Sequence, residues 1–195
     1  GRHSRRTVSS FTLHLMRHGA PKTPGLLLGH IDTPPDPDAM QPCLDRVRVI
    51  DFTQVLSSDL SRAHSPAALI AAERHVPHHA DPQWRELHFG AWEGADPAKL
   101  PPSDIGRFWE APDENPPPGG ERWSDLRLRI ESAIVNINQP TLVLSHAGAM
   151  RAALTLLCGF TYRQSWAIDL PYAALLSLRV WRGETLNAQI TGLVT

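Results

Sequence analysis

Phe11, Leu13 and Leu15 alternate with Thr12 and His14, the period-two pattern of a strand with a buried face. The alternation ends abruptly at Arg17-His18-Gly19. Two more short apolar runs end in polar chemistry: Thr53-Gln54-Val55-Leu56 leads into Ser57-Ser58-Asp59-Leu60-Ser61-Arg62, and Thr141-Leu142-Val143-Leu144 into Ser145-His146-Ala147-Gly148. Helical patterns separate them. Met40, Leu44 and Val47 form a stripe within residues 39–47, and residues 61–73 are rich in Ala, with Ser57, Ser58 and Asp59 ahead as capping oxygens. Trp123, Leu126, Ile130, Ile134 and Ile137 fall at helical spacing, and residues 148–158 read as a helix closed by Gly159. Residues 172–181 and 185–191 read as strands joined around Arg182-Gly183-Glu184. This alternation predicts an α/β fold: a mainly parallel central sheet with helices on both faces and a C-terminal edge hairpin. Residues 76–81, with His78 and His79 close to His75, are expected to be a solvated helix exit; no carboxylate or cysteine follows at metal-ligand spacing.

Proline divides the remainder. Residues 20–39 hold Pro21, Pro24, Pro34, Pro35 and Pro37 and predict a loop beside the first strand end. Residues 95–121 hold seven further prolines around a possible short helix at 103–110. A loop this long inside one domain predicts a lid-like insertion, because Phe108, Trp109 and Trp123 need burial that a disordered linker does not give. Residues 1–10 read as a disordered tail and 11–195 as a single domain, a size that supports one well-buried core.

Composition narrows the classes of partner. With 42% hydrophobic and 20% charged residues the chain is an ordinary globular one. A net charge of −1 gives no reason to expect nucleic acid or an anionic membrane, and no apolar run approaches the roughly 18 residues that span a bilayer. Cys43 and Cys158 have no paired spacing and read as free thiols of a reducing, cytoplasmic compartment. Neither a cofactor nor a metal is expected.

The three strand ends carry the chemistry. Arg17-His18-Gly19 taken alone reads equally well as a strand end and turn. In open α/β sheets, however, ligands bind beyond the carboxyl ends of strands, and two arginines and two histidines converging there suit a dianionic phosphoryl group. Leu15-Met16-Arg17-His18-Gly19, Ser57-Ser58-Asp59-Leu60-Ser61-Arg62-Ala63, Arg85-Glu86-Leu87-His88-Phe89-Gly90-Ala91-Trp92-Glu93-Gly94 and Ser145-His146-Ala147-Gly148 together resemble the histidine phosphatase superfamily. The similarity is to its phosphoglycerate mutase-like branch, with α-ribazole phosphatase-like members nearest in length. The resemblance implies His18 as nucleophile, Arg17, Arg62 and His146 as phosphate clamp, and Glu86 as proton donor, with Glu93 as the rival carboxylate. It implies a metal-independent phosphomonoesterase acting on a small phosphorylated metabolite through a phosphohistidine. The competing readings are a phosphoglycerate mutase-type transferase and a non-catalytic phospho-ligand binder. Where many members have an Asn after the first motif, this chain has Pro21, Lys22 and Thr23, so Lys22 and Thr23 are the candidate auxiliary phosphate contacts.

Overall fold

A computed structural model describes residues 9–195. Six strands form one sheet in the order β3-β2-β4-β1-β5-β6. They are β1 (Ser9–Arg17), β2 (Gln54–Ser57), β3 (His78–Ala80), β4 (Thr141–Ser145), β5 (Leu175–Arg182) and β6 (Leu186–Val194). The first four run parallel; β5 and β6 are the antiparallel hairpin expected at the edge. The helices are α1 (Gln41–Arg46), α2 (Ser61–Arg74), α3 (Pro102–Glu110), α4 (Trp123–Ile134), α5 (Ala147–Cys158) and α6 (Tyr162–Ser165).

Both faces of the sheet are covered, which explains why β4 is apolar without alternation and buried at all five positions. Leu13, Leu15 and Val143 join a cluster with Leu126 and Ile130 of α4 and Met150 and Leu154 of α5. Met16, Val55, Leu142 and Leu144 join a second cluster with Cys43 of α1 and Ala63, Ala67 and Ile70 of α2. The register puts Arg17 beside Ser145 and Ser57 beside Leu144, so β1, β4 and β2 end at one level on three adjacent strands. Three short chemical motifs are thereby brought to one rim.

Three local expectations change, and the insertion gains detail. Residues 76–81 are no helix exit: His78–Ala80 pairs with Val55–Ser57 as edge strand β3, and the Val55 and Asp81 N–H groups bond to the Pro77 and Ser57 carbonyls. Three residues are too few to show a period. The expected tail, residues 1–10, overlaps β1, since Ser9 and Ser10 pair with Arg182 and Trp181; residues 1–8 lie outside the described part. The oxygen at the start of α2 comes from Asp32, which accepts the Ser61 N–H at 2.9 Å, while Asp59 turns away to a bidentate pair with Arg85. Between 95 and 121 a 3-10 turn (Pro97–Lys99) precedes α3, whose Phe108 is buried edge-on against Phe89 and Trp92.

Candidate active site

His18 follows the last residue of β1 and is buried. Gly19 lets the Ala39 backbone approach closely, because a Cβ would overlap it. The His18 Nδ1–H donates to the Gly19 carbonyl at 2.8 Å, which fixes the ring and leaves the Nε2 lone pair to the adjoining cavity. Burial pushes the His18 pKa down to about 3, and the Arg62 and Arg17 charges act in the same direction against the opposing Gly19 bond. The imidazole is therefore neutral across the physiological range.

Two guanidinium groups surround it. Arg17 donates through Nη1 to the Leu170 carbonyl at 2.8 Å and stacks 4.1 Å over the Tyr172 ring. Arg62, the second residue of α2 and only 1% exposed, donates to the carbonyls of Ile31 (2.8 Å), Leu28 (3.1 Å) and Gly29 (2.6 Å). His146 sits between β4 and α5 with its ring centroid 5.1 Å from that of His18. Burial, then His18, Arg62 and Arg17, hold its pKa well below the usual value.

Among the described residues, most of the buried polar side-chain atoms that lack a partner gather here. The Nε atoms of Arg17, Arg62 and Arg151 and both ring nitrogens of His146 are buried without a hydrogen-bond partner from the protein. Water or the oxygens of a bound ligand can satisfy such groups, each worth about 1–3 kcal/mol when left unpaired.

Glu86 faces the same cavity. Its Oε2 accepts the Gly148 N–H at 2.9 Å, at the start of the twelve-residue helix α5, and its Oε1 accepts the Leu87 N–H at 2.8 Å. A Cβ on Gly148 would overlap this carboxylate. The main chain of Glu86 is anchored by Arg129 of α4, whose guanidinium reaches the carbonyls of Gln83, Arg85 and Glu86, all at 2.8 Å, and both oxygens of Glu121. His30 Nε2 adds a bond to the Glu86 carbonyl at 2.9 Å.

Glu93, the rival, is not in the cavity. Its oxygens accept the backbone N–H groups of His30 (2.7 Å), Phe89 (3.0 Å), Gly29 (3.0 Å) and Ile31 (3.3 Å). Burial alone would raise its pKa, and these four bonds outweigh burial and hold it below the usual carboxylate range. Such a carboxylate keeps its negative charge and is a poor acid.

Arg17, His18 and Glu86 open on a cavity of about 230 Å³. Its far wall is aromatic, with Phe108 and Trp109 from the insertion, Trp123, Tyr162 and Trp166. The Tyr162 hydroxyl donates to the Trp109 carbonyl at 2.7 Å, and the rings of Trp109 and Trp166 meet edge to face at 5.7 Å, so α3 and α6 form one wall. Arg151 of α5 borders the cavity, stacks 3.9 Å over Trp166 and donates to the Ser165 and Ile168 carbonyls. Lys22 and Thr23 are exposed and do not line the cavity. Among the described residues no group of three or more His, Cys, Asp or Glu is placed to hold a metal ion.

The structure thus brings together Arg17, His18, Arg62, Glu86 and His146 from four separate segments. Sequence reasoning missed Arg129, His30 and Arg151. Each acts on carbonyl groups distant in the chain, and no local pattern announces that.

A neutral, rigidly held histidine among buried guanidinium donors on the rim of an α/β sheet suits phosphoryl-group chemistry. The model of the histidine phosphatase superfamily (branch 1) matches residues 13–190, and the chain belongs to that family. It is 29% identical over 184 residues to the adenosylcobalamin/alpha-ribazole phosphatase of Salmonella typhimurium, covering 88% of this chain and 86% of that one. Among solved structures it resembles Bacillus stearothermophilus YhfR, with a TM-score of 0.82 and 24% identity, covering 95% and 98% of the two chains. It also resembles a mycobacterial glucosyl-3-phosphoglycerate phosphatase, with a TM-score of 0.81 and 19% identity over 93% and 97%. The protein is a hydrolase of the histidine phosphatase type.

Proposed function

We propose that hydrolysis proceeds in two steps through a phosphohistidine on His18. The phosphoryl oxygens lie against the free donors of Arg17, Arg62 and His146, fixed before substrate arrives. His18 Nε2 forms a bond to phosphorus as the ester P–O bond breaks, and Glu86, the acid of this step, gives a proton to the leaving oxygen. The resulting Glu86 carboxylate then takes a proton from water as that water attacks the phosphohistidine, releasing phosphate and restoring both groups. The observation that carries the reading is the His18 ring: tied by Nδ1, neutral by burial, with Nε2 toward the cavity.

The leaving group occupies the aromatic side. We read residues 95–121 as its lid-like cover, since α3 supplies Trp109 to that wall, and residues 11–195 as a single domain. The names of the relatives support trying alpha-ribazole phosphate and glucosyl-3-phosphoglycerate as candidate substrates of this chain. The unpaired thiols of Cys43 and Cys158 support a cytoplasmic location, and among the described residues no helix is long and apolar enough to cross a membrane. A phosphate-release screen of such esters in the presence of EDTA tests the reading. Turnover of at least one is expected; binding of phosphorylated ligands without release from any would overturn it in favour of a binding protein.

A further inference from the structure

Glu93 touches none of the reacting groups, yet the loop it holds is the loop that holds Arg62. On one side of residues 28–31 the carboxylate accepts the N–H groups of Gly29, His30 and Ile31, with Phe89 as a fourth donor. On the other side the Arg62 guanidinium donates to the carbonyls of Leu28, Gly29 and Ile31. Successive peptide groups are therefore gripped at both poles. Gly29 makes the approach possible, since a Cβ there would overlap the Glu93 carboxylate and the Leu87 carbonyl. Arg62 forms no ion pair among the described residues, so these carbonyls are the polar contacts that set its direction.

We infer that Glu93 is a positioning residue for Arg62: by fixing the amides of residues 29–31 it fixes the carbonyls that aim the guanidinium at the phosphoryl group. This rests on the proposed role of Arg62 as a phosphoryl ligand. The coupling runs both ways, because a ligand that immobilises Arg62 also immobilises the loop.

Glu93→Gln keeps the shape but turns an NH₂ group toward two of the four N–H donors. Misplacing a positioned group costs on the order of 10²-fold, so kcat/KM is expected to fall about that much, equally for alkyl and aryl esters. Calorimetry should show vanadate binding weakened by a similar factor at an unchanged number of sites. In an Arg62→Lys background, where the planar fork is already gone, the same substitution should cost less than about threefold, the mark of two residues acting as a unit. Gly29→Ala, which displaces the carboxylate from the other side, should reproduce the pattern. A merely structural role predicts fewer binding sites of unchanged affinity and equal losses in both backgrounds, and either result overturns the inference. If both variants fail to fold, hydrogen exchange on the wild-type protein decides. Saturating vanadate should slow the amides of Gly29, His30 and Ile31 by about tenfold or more, and unchanged exchange overturns the coupling. Failure of vanadate to bind the wild-type protein at all would instead remove the phosphoryl reading of Arg62 on which the inference stands.

Discussion

Acid should destabilise this protein well above the pH at which its carboxylates titrate, because its two active-site histidines are buried neutral. His18 has a folded pKa of about 3 and His146 lies well below the usual value, whereas both sit near 6.5 in the unfolded chain. The unfolded state therefore binds more protons, so stability is full above roughly pH 6.5 and is lost as the pH falls toward the folded values. For His18 the loss approaches about 1.4 kcal/mol per pH unit, or about 2 kcal/mol at pH 5, and His146 adds to it in the same direction. Burial lowers His14, His30 and His78 as well, and they add in the same direction. The depressed carboxyls of Asp59, Glu93 and Asp113 lose their contribution only below about pH 4, outside this window. Urea unfolding followed by tryptophan fluorescence, with Trp84 fully buried, reads the effect at pH 7.5 and 5.0 at constant ionic strength. The midpoint should drop at constant slope by an amount worth at least about 2 kcal/mol, against a total of about 5–15 for a typical protein. His146→Asn should shrink the difference. A wild-type loss of less than about 2 kcal/mol would refute the burial argument for both rings.

Glu86→Gln should slow alkyl phosphates by about 10²–10⁴-fold and p-nitrophenyl phosphate much less, read from kcat across a leaving-group series, because an acid matters in proportion to the proton its leaving group needs. Gly148→Ala should mimic it, with kcat for alkyl esters reduced at least about tenfold, since a Cβ displaces the Glu86 carboxylate from the Gly148 N–H; an unchanged rate would detach Glu86 from the reaction. Initial rates should survive EDTA and be suppressed by vanadate, whereas rescue by added metal after chelation would contradict a site built from two guanidinium and two imidazole groups.

The parts of this site legible in the sequence are those that coincide with a change of period. β1 and β4 announce themselves by apolar residues that stop at Arg17-His18 and at Ser145-His146, and the parallel register then carries both motifs to one rim. Arg62 was legible as the polar end of the apolar run at 53–56, whereas Glu86 was legible only through family resemblance, because a glutamate in an extended segment is unremarkable by itself. β3 was not legible, since backbone pairing to Val55–Ser57 defines it and its own residues show no pattern. Arg129 and His30 reach carbonyls more than 40 residues away, and a guanidinium that binds carbonyls leaves no complementary charge to find. α6 does carry a local signal, the Thr161 and Gln164 capping box, but its four residues hold no hydrophobic period. Lys22 and Thr23 illustrate the converse: their place next to the first motif suggested phosphate contacts, and both are exposed away from the cavity lining.

The central claim, covalent catalysis by His18, is tested most directly by rapid-quench mixing with a ³²P-labelled ester followed by mapping of the label. The account predicts an acid-labile, base-stable phosphoryl group on His18, formed and lost at rates compatible with turnover and absent from His18→Ala, which should also lose hydrolysis. Label on His146 instead would exchange the roles of the two histidines, and no label during a single turnover by the fully active protein would contradict the account in favour of direct attack by water.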